Sequence, residues 1–137
     1  MARGKRTGGA TEPSQRQLRA GELVRHALVD VLAREELRDP DLQGVTVTIG
    51  EVRCSPDLRH ATVFCSPLGI VDKAEIEKTA KALGRAATFL RGRLGRQIDM
   101  KFTPQLHFIP DLSYNDASEM EAVFRRADVA RDLDQHD

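Results

Sequence analysis

The sequence predicts an α+β domain in which helices pack on one face of a small, three-stranded sheet. Three features carry that expectation. A stretch near the start repeats its apolar residues at helical spacing, two alternating runs follow it across a tight turn, and a second helical stretch leads into one last strand-like run. With 137 residues, 40% of them apolar and 31% charged, the chain suits one core with tails. The expected division is a basic, glycine-rich arm over 1–13, the domain over 14–112, and a short helix with an acidic tail over 113–137.

Ser14 is placed to cap the first helix, in which Leu18, Leu23, Val24, Ala27, Leu28, Val31 and Leu32 share a broad apolar face. Asp39-Pro40 disfavours helical backbone, so this helix should stop near Leu37. From Val45, apolar residues alternate through Val47 and Ile49, then change parity after Gly50 to Val52 and Cys54. One extra residue at a glycine is how a bulge appears in sequence. Ser55-Pro56-Asp57 makes the turn, and Ala61, Val63 and Cys65 line one face of the returning strand, giving an antiparallel hairpin.

Asp72 opens a second helical stretch, with Ile76, Ala80, Leu83, Ala87, Leu90 and Leu94 at steps of three and four. Periodicity alone predicts one helix to about Gly95, and Gly84 is its sole internal hint of a break. A last strand over 100–110 would place Phe102, Leu106 and Phe108 on one face, with Pro104 inside it favouring an edge position or a local break in pairing. A short helix is expected near Glu119–Arg126.

The formal net charge is zero, but the charge is unevenly spread. Lys81, Arg85, Arg91, Arg93, Arg96 and Lys101 stand against the single acid Asp99, whereas from Asp111 onward eight acids face Arg125, Arg126 and Arg131. A row of cations on a helix reads either as a solvated face or as a phosphate-binding surface. Aromatic residues are few, with no tryptophan, one tyrosine and five phenylalanines, which argues against a multi-ring stacking platform.

Enzyme signatures are missing. The histidines and cysteines lack metal-ligand spacing, no serine lies in a G-x-S-x-G context, and no glycine-rich phosphate loop is present. The expectation is therefore no catalytic residue, no metal and no cofactor. Cys54 and Cys65 read as small buried hydrophobes, reduced in the cytoplasm. No secretory signal and no apolar run of membrane-spanning length appears, so no membrane partner is expected. Gly92-Arg93-Leu94-Gly95 matches the GxxG loop of KH domains, but the last strand follows too soon for a loop between two helices.

Several segments together resemble one family. Arg19–Glu35 reads R-x-G-E-L-V-R-H-A-L-V-D-V-L-A-R-E, and Val45–Phe64 carries the hairpin with S-P-D-L-R-H-A as its turn. Ala82–Gly95 reads A-L-x-x-A-x-x-F-L-R-x-x-L-G, and Lys101–Phe108 fits basic-x-x-P-x-L-x-F, with Asp111 following. In order and spacing these segments, covering roughly residues 14–126, resemble ribosome-binding factor A of bacteria.

The resemblance implies a type II KH-like fold of order α-β-β-α-α-β, with an inter-helix kink at Ala86 in place of the GxxG loop. Thr88 stands where the family's Ala-x-Gly has its glycine, so the kink should be shallower or draw on Gly84. It also implies a cytoplasmic protein whose function would be non-catalytic binding to small-subunit rRNA on the free small (30S) ribosomal subunit, assisting late maturation and 5′-end processing, with particular weight in the cold. The phosphate contacts would fall on Lys81, Arg85, Arg91, Arg93, Arg96 and Lys101, with Arg53 and Arg59 as secondary candidates. A monomer is expected. A generic RNA-binding module and a protein–protein adaptor are the competing readings.

Overall fold

A computed structural model describes residues 12–113. Helix α1 spans Gln15–Arg34, strand β1 Val47–Cys54, strand β2 His60–Pro67, helix α2 Lys73–Arg85, helix α3 Ala87–Gly95 and strand β3 Gln105–Pro110. A single 3-10 turn, Pro40–Leu42, lies between α1 and β1. The α-β-β-α-α-β order is thus present. Residues 1–11 of the arm expected over 1–13, and the expected helix near Glu119–Arg126, lie outside the described residues.

Helix α1 starts on a reciprocal cap. The Gln17 backbone N–H donates to Ser14 Oγ at 3.1 Å, and the Ser14 N–H donates to Gln17 Oε1 at 2.9 Å. The helix ends at Arg34, three residues before the expected stop at Leu37, and Glu35 already has extended backbone. Glu35 (ψ 135°) and Asp39 (ψ 127°) bound a stretch without regular structure before the Pro40 turn, so Pro40 restrains Asp39 while the helix itself has already ended at Arg34. Its buried face is Ala20, Gly21, Val24, Ala27, Leu28 and Val31. Leu18 and Leu23, on the broad apolar face read from the sequence, stand at its edge and remain largely exposed.

Strands β1 and β2 form the antiparallel hairpin, with Ile49 opposite Cys65 and Glu51 opposite Phe64. Gly50 is the extra residue, so the change of apolar parity did mark a bulge. Strand β2 is central and pairs with β3 in parallel, Ala61 beside Leu106 and Val63 beside Phe108. One sheet face carries Val52, Ala61, Val63, Cys65 and Leu106 into the core against the helices. Cys54 and Cys65 are both free and buried. Burial, with the nearby Asp111 carboxylate, pushes the Cys65 thiol up to about 12, so it packs as a hydrophobe and not as a nucleophile.

The second helical stretch is two helices, correcting what periodicity alone predicts. The break is at Ala86 (φ −96°, ψ 5°), where the backbone N–H turns to Leu83 O at 3.0 Å in a tightened last turn. Gly84 keeps ordinary helical backbone with open space around it, so the break does not draw on it. Strand β3 begins at Gln105, later than expected, because Pro104 is buried ahead of it and has no N–H to give the ladder. Phe102 therefore lies outside the strand and half exposed, and does not share the face of Leu106.

Helix α1 lies close on β1 at Gly21, where an added Cβ would sit 2.5 Å from the Val52 carbonyl oxygen. Replacing a helical glycine by alanine ordinarily gains up to ~1 kcal/mol. Here the obstacle is strand backbone, and overpacking of that kind costs about 1–3 kcal/mol or more. Gly21→Ala should therefore destabilise the fold by about 1–2 kcal/mol net. A lowered urea midpoint with unchanged slope would verify it, and a raised midpoint would refute the close approach.

Candidate nucleic-acid interface

The six cations expected to contact phosphate do not form one row. Arg85, in the last turn of α2, donates through Nε to Asp39 Oδ2 at 2.7 Å and through Nη2 to Asp39 Oδ1 at 3.0 Å and Asp41 Oδ2 at 2.9 Å. The segment between α1 and β1 thus closes on α2 through a guanidinium fork. The Arg85 hydrogen bonds, with the Asp41 N–H, hold the Asp39 carboxyl below its usual range, and the two carboxylates raise Arg85 in turn. Arg93, half buried on α3, sits 3.5 Å from Glu35 Oε1 and 4.9 Å above the Phe89 ring. These two cations carry their own counter-ions.

Lys81, Arg91, Arg96 and Lys101 are exposed, and none has a carboxylate within ion-pair distance among the described residues. Lys81 lies one turn before Arg85 on α2. Arg96 lines a shallow depression with Arg34, Glu35, Arg93 and Gln97. Arg91 donates from Nε and Nη2 to the Thr103 carbonyl at 3.0 and 2.8 Å, which ties α3 to the segment leading into β3. That places Arg91 near Lys101, whose ammonium is 5.7 Å from the Phe102 ring centroid.

The hairpin turn supplies a cation to the same place. Arg59 stands over Phe102 at 4.8 Å, and Arg16 at the start of α1 lines the same depression. Arg59, a secondary candidate in the sequence, is thus brought to Lys101. Arg53, the other, is held by Glu51 at 2.8 Å on the opposite side of the hairpin. Arg16 and Phe102 were not read as site residues. Arg16 carries only a helix-surface signal in sequence, and Phe102 reads as a core position by alternation.

Ala86, the expected kink, is half buried against the core and lies beside Phe89 in a depression rimmed by Glu35, Glu36 and Asp39. The surface around the break is therefore a mixed one, with Glu35, Glu36 and Asp39 set beside Arg38 and Arg93. His60 and His107 meet across β2 and β3, Nδ1 to Nε2 at 3.0 Å, a pairing that sequence spacing does not reveal. Among the described residues no group of three His, Cys, Asp or Glu side chains is placed to hold a metal. No helix of the described residues is long and apolar enough to cross a membrane.

The family model described as "Ribosome-binding factor A" matches residues 16–124. The chain belongs to the ribosome-binding factor A family. The family's protein from Maricaulis maris is 58% identical over 98% of this chain and 92% of its own length. The one from Hyphomonas neptunium is 56% identical, covering 89% of this chain and 90% of its own. The crystal structure of ribosome-binding factor A from Thermus thermophilus is similar with a TM-score of 0.53 and 26% identity, over 69% of this chain and 94% of that one. The fold expected from the resemblance, three helices on a three-stranded sheet, is thus the fold found.

The Arg85–Asp39 contact sets a pH window. Asp39 is held below its ordinary value of 3.8, so its ionised form stabilises the fold above that pH, and the stabilisation disappears as pH falls through the lowered value. Asp39→Asn keeps an acceptor for the Asp41 N–H but loses the charge. Its melting temperature should fall below the parent's near neutral pH, and the gap should close as the pH drops under about 4. A gap independent of pH would mean that the ion pair is not what links this segment to α2.

Proposed function

We propose that this protein binds the free small ribosomal subunit in the cytoplasm as a monomer, by contacts to rRNA phosphates, and assists late maturation and 5′-end processing of that rRNA without catalysing a reaction itself. The observation that carries the reading is membership of a family named for binding the ribosome. The exposed cations without carboxylate partners support phosphate contact as the mode. Binding would act by differential affinity: stabilising one rRNA arrangement shifts its population, and no covalent step is needed.

Of the six cations first expected, Lys81, Arg91, Arg96 and Lys101 are the ones to contact phosphate, joined by Arg59. Arg85 and Arg93 would have to leave Asp39, Asp41 and Glu35 to do so, so their part is to hold the frame. Each phosphate contact contributes close to one unit of salt slope. Five such contacts give a fall of roughly a hundred- to five-hundred-fold in affinity as salt rises from about 50 to 200 mM.

The first test is sedimentation with ribosomal particles on gradients that separate free small subunits, large subunits and joined ribosomes. The protein should travel with free small subunits alone. Sedimentation with none of them would remove the assembly role, and an affinity indifferent to salt would favour an adaptor with an apolar interface.

A second test separates surface from net charge. Arg91→Gln with Lys101→Gln removes two charges, as does Arg53→Gln with Lys78→Gln, whose cations already pair with Glu51 and Glu75. The first pair should weaken binding about tenfold or more and flatten the salt slope by about two, while the second changes little. Equal losses would mean that the wrong surface has been chosen.

A further inference from the structure

Among the described phenylalanines, three carry a cation over the ring: Phe64 with Arg53, Phe89 with Arg93, and Phe102 with both Arg59 and Lys101. The first two cations are ion-paired with Glu51 and Glu35, and the Phe89 depression is also lined by Glu36 and Asp39, with Arg38 beside them. Phe102 differs. Its ring is 50% exposed, and neither of its cations has a carboxylate partner among the described residues.

The ring is held out by its neighbours. Buried Pro104 and half-buried Met100 anchor the chain on either side, and Arg91 grips the Thr103 carbonyl from α3. Facing it, the turn after β1 is fixed by Ser55 Oγ donating to Asp57 Oδ1 at 2.6 Å and by the Arg59 N–H donating to the same carboxylate oxygen at 3.1 Å. Leu58 is the only non-glycine residue with positive φ among those described (61°), a conformation that persists only where its surroundings dictate it. The turn therefore presents Arg59 to Phe102 from a rigid support.

Arg16, Asp57, Leu58, Arg59, Met100, Lys101 and Phe102 enclose a depression of about 400 Å³, within the size range of small-molecule sites. Its single acid, Asp57, is already engaged by Ser55 and Arg59. An exposed ring flanked by uncompensated cations suits a group with a flat apolar face and negative charge on either side. An unpaired nucleotide in a single strand is such a group: its phosphates draw the Arg59 and Lys101 cations off the ring, and the base takes their place on its face.

We propose that Phe102 is a stacking site for one unpaired RNA base, with Arg59 and Lys101 on the flanking phosphates and Arg16 and Arg91 supporting them. The proposal rests on the RNA-binding reading above and adds where an unpaired nucleotide is held. Stacking accepts any base, so the site selects single strand over duplex and not one sequence over another.

The chain has no tryptophan, so Phe102→Trp in the full-length protein places a lone reporter at the site. With a single-stranded RNA of about ten nucleotides, that variant should bind as the parent does and its emission should be quenched. A duplex of equal length should quench it far less. Phe102→Leu, which keeps an apolar side chain but no ring, should lose roughly five- to a hundred-fold in affinity for the single strand, with the salt slope unchanged.

If the parent binds the single strand but Phe102→Leu binds equally well and the tryptophan is not quenched, the stacking site is wrong and the phosphate reading stands. If the parent binds no RNA, the RNA-binding reading fails and the site falls with it. If Phe102→Leu binds RNA normally but no longer sediments with ribosomal particles, the ring meets a ribosomal protein, and the proposal is overturned.

Discussion

Strand β2 sits between an antiparallel and a parallel neighbour, and the parallel pairing governs the layout of the rest. A hairpin can close in a few residues, but a parallel partner requires the chain to return across the sheet before it can pair again. Here the return occupies the chain between Pro67 and Gln105. It must cover Ala61, Val63 and Cys65, which are completely buried, and then reach the edge where β3 begins. Helix α2 packs on β2 and β3, while α3 packs on β3 and α1. The turn at Ala86 redirects the chain from the first set of partners to the second, and Leu83, Leu90 and Leu94 are fully buried on either side of it. A small side chain at the break fits a position half buried in the core.

That layout explains which parts were readable in advance. The hairpin, its bulge at Gly50 and the Ser14 cap are local: each depends on residues a few positions apart, and alternation or capping chemistry reports them directly. The break at Ala86 is not local. Ile76 through Leu94 keep helical spacing across it, because both helices bury apolar residues at the same intervals. Only family resemblance placed the break there, and its occurrence despite Thr88 implies that packing on two different partners drives it more than a permissive glycine does. Phe102 failed for a related reason. Alternation assigned it to the strand, but Pro104 fills the buried position ahead of the ladder and pushes the ring out of register.

The candidate interface was legible in part. Sequence located the cations and could not show which of them are already paired. Asp39 and Asp41 are more than forty positions from Arg85, and Glu35 is similarly remote from Arg93, so their neutralising effect comes only from the way the α1–β1 connection folds over α2 and α3. The same folding collects Arg16, Arg59 and Lys101 from three separate segments around one ring. A count of charges along the chain misses both effects.

The division of cations into paired and unpaired bears on how tightly such a protein should hold RNA. A chain of zero formal charge that exposed all its arginines would still gather phosphate indiscriminately, since counter-ion release depends on local contacts and not on the total. Pairing Arg53, Arg85 and Arg93 with carboxylates removes them from that pool, and the pairs of Arg85 and Arg93 also link separate segments of the fold. The few that remain give an attraction strong enough to steer binding yet sensitive to ionic conditions. Specificity then depends on what the surface meets besides phosphate, and an exposed ring among unpaired cations adds a requirement that regular duplex, with its bases stacked inside, does not meet.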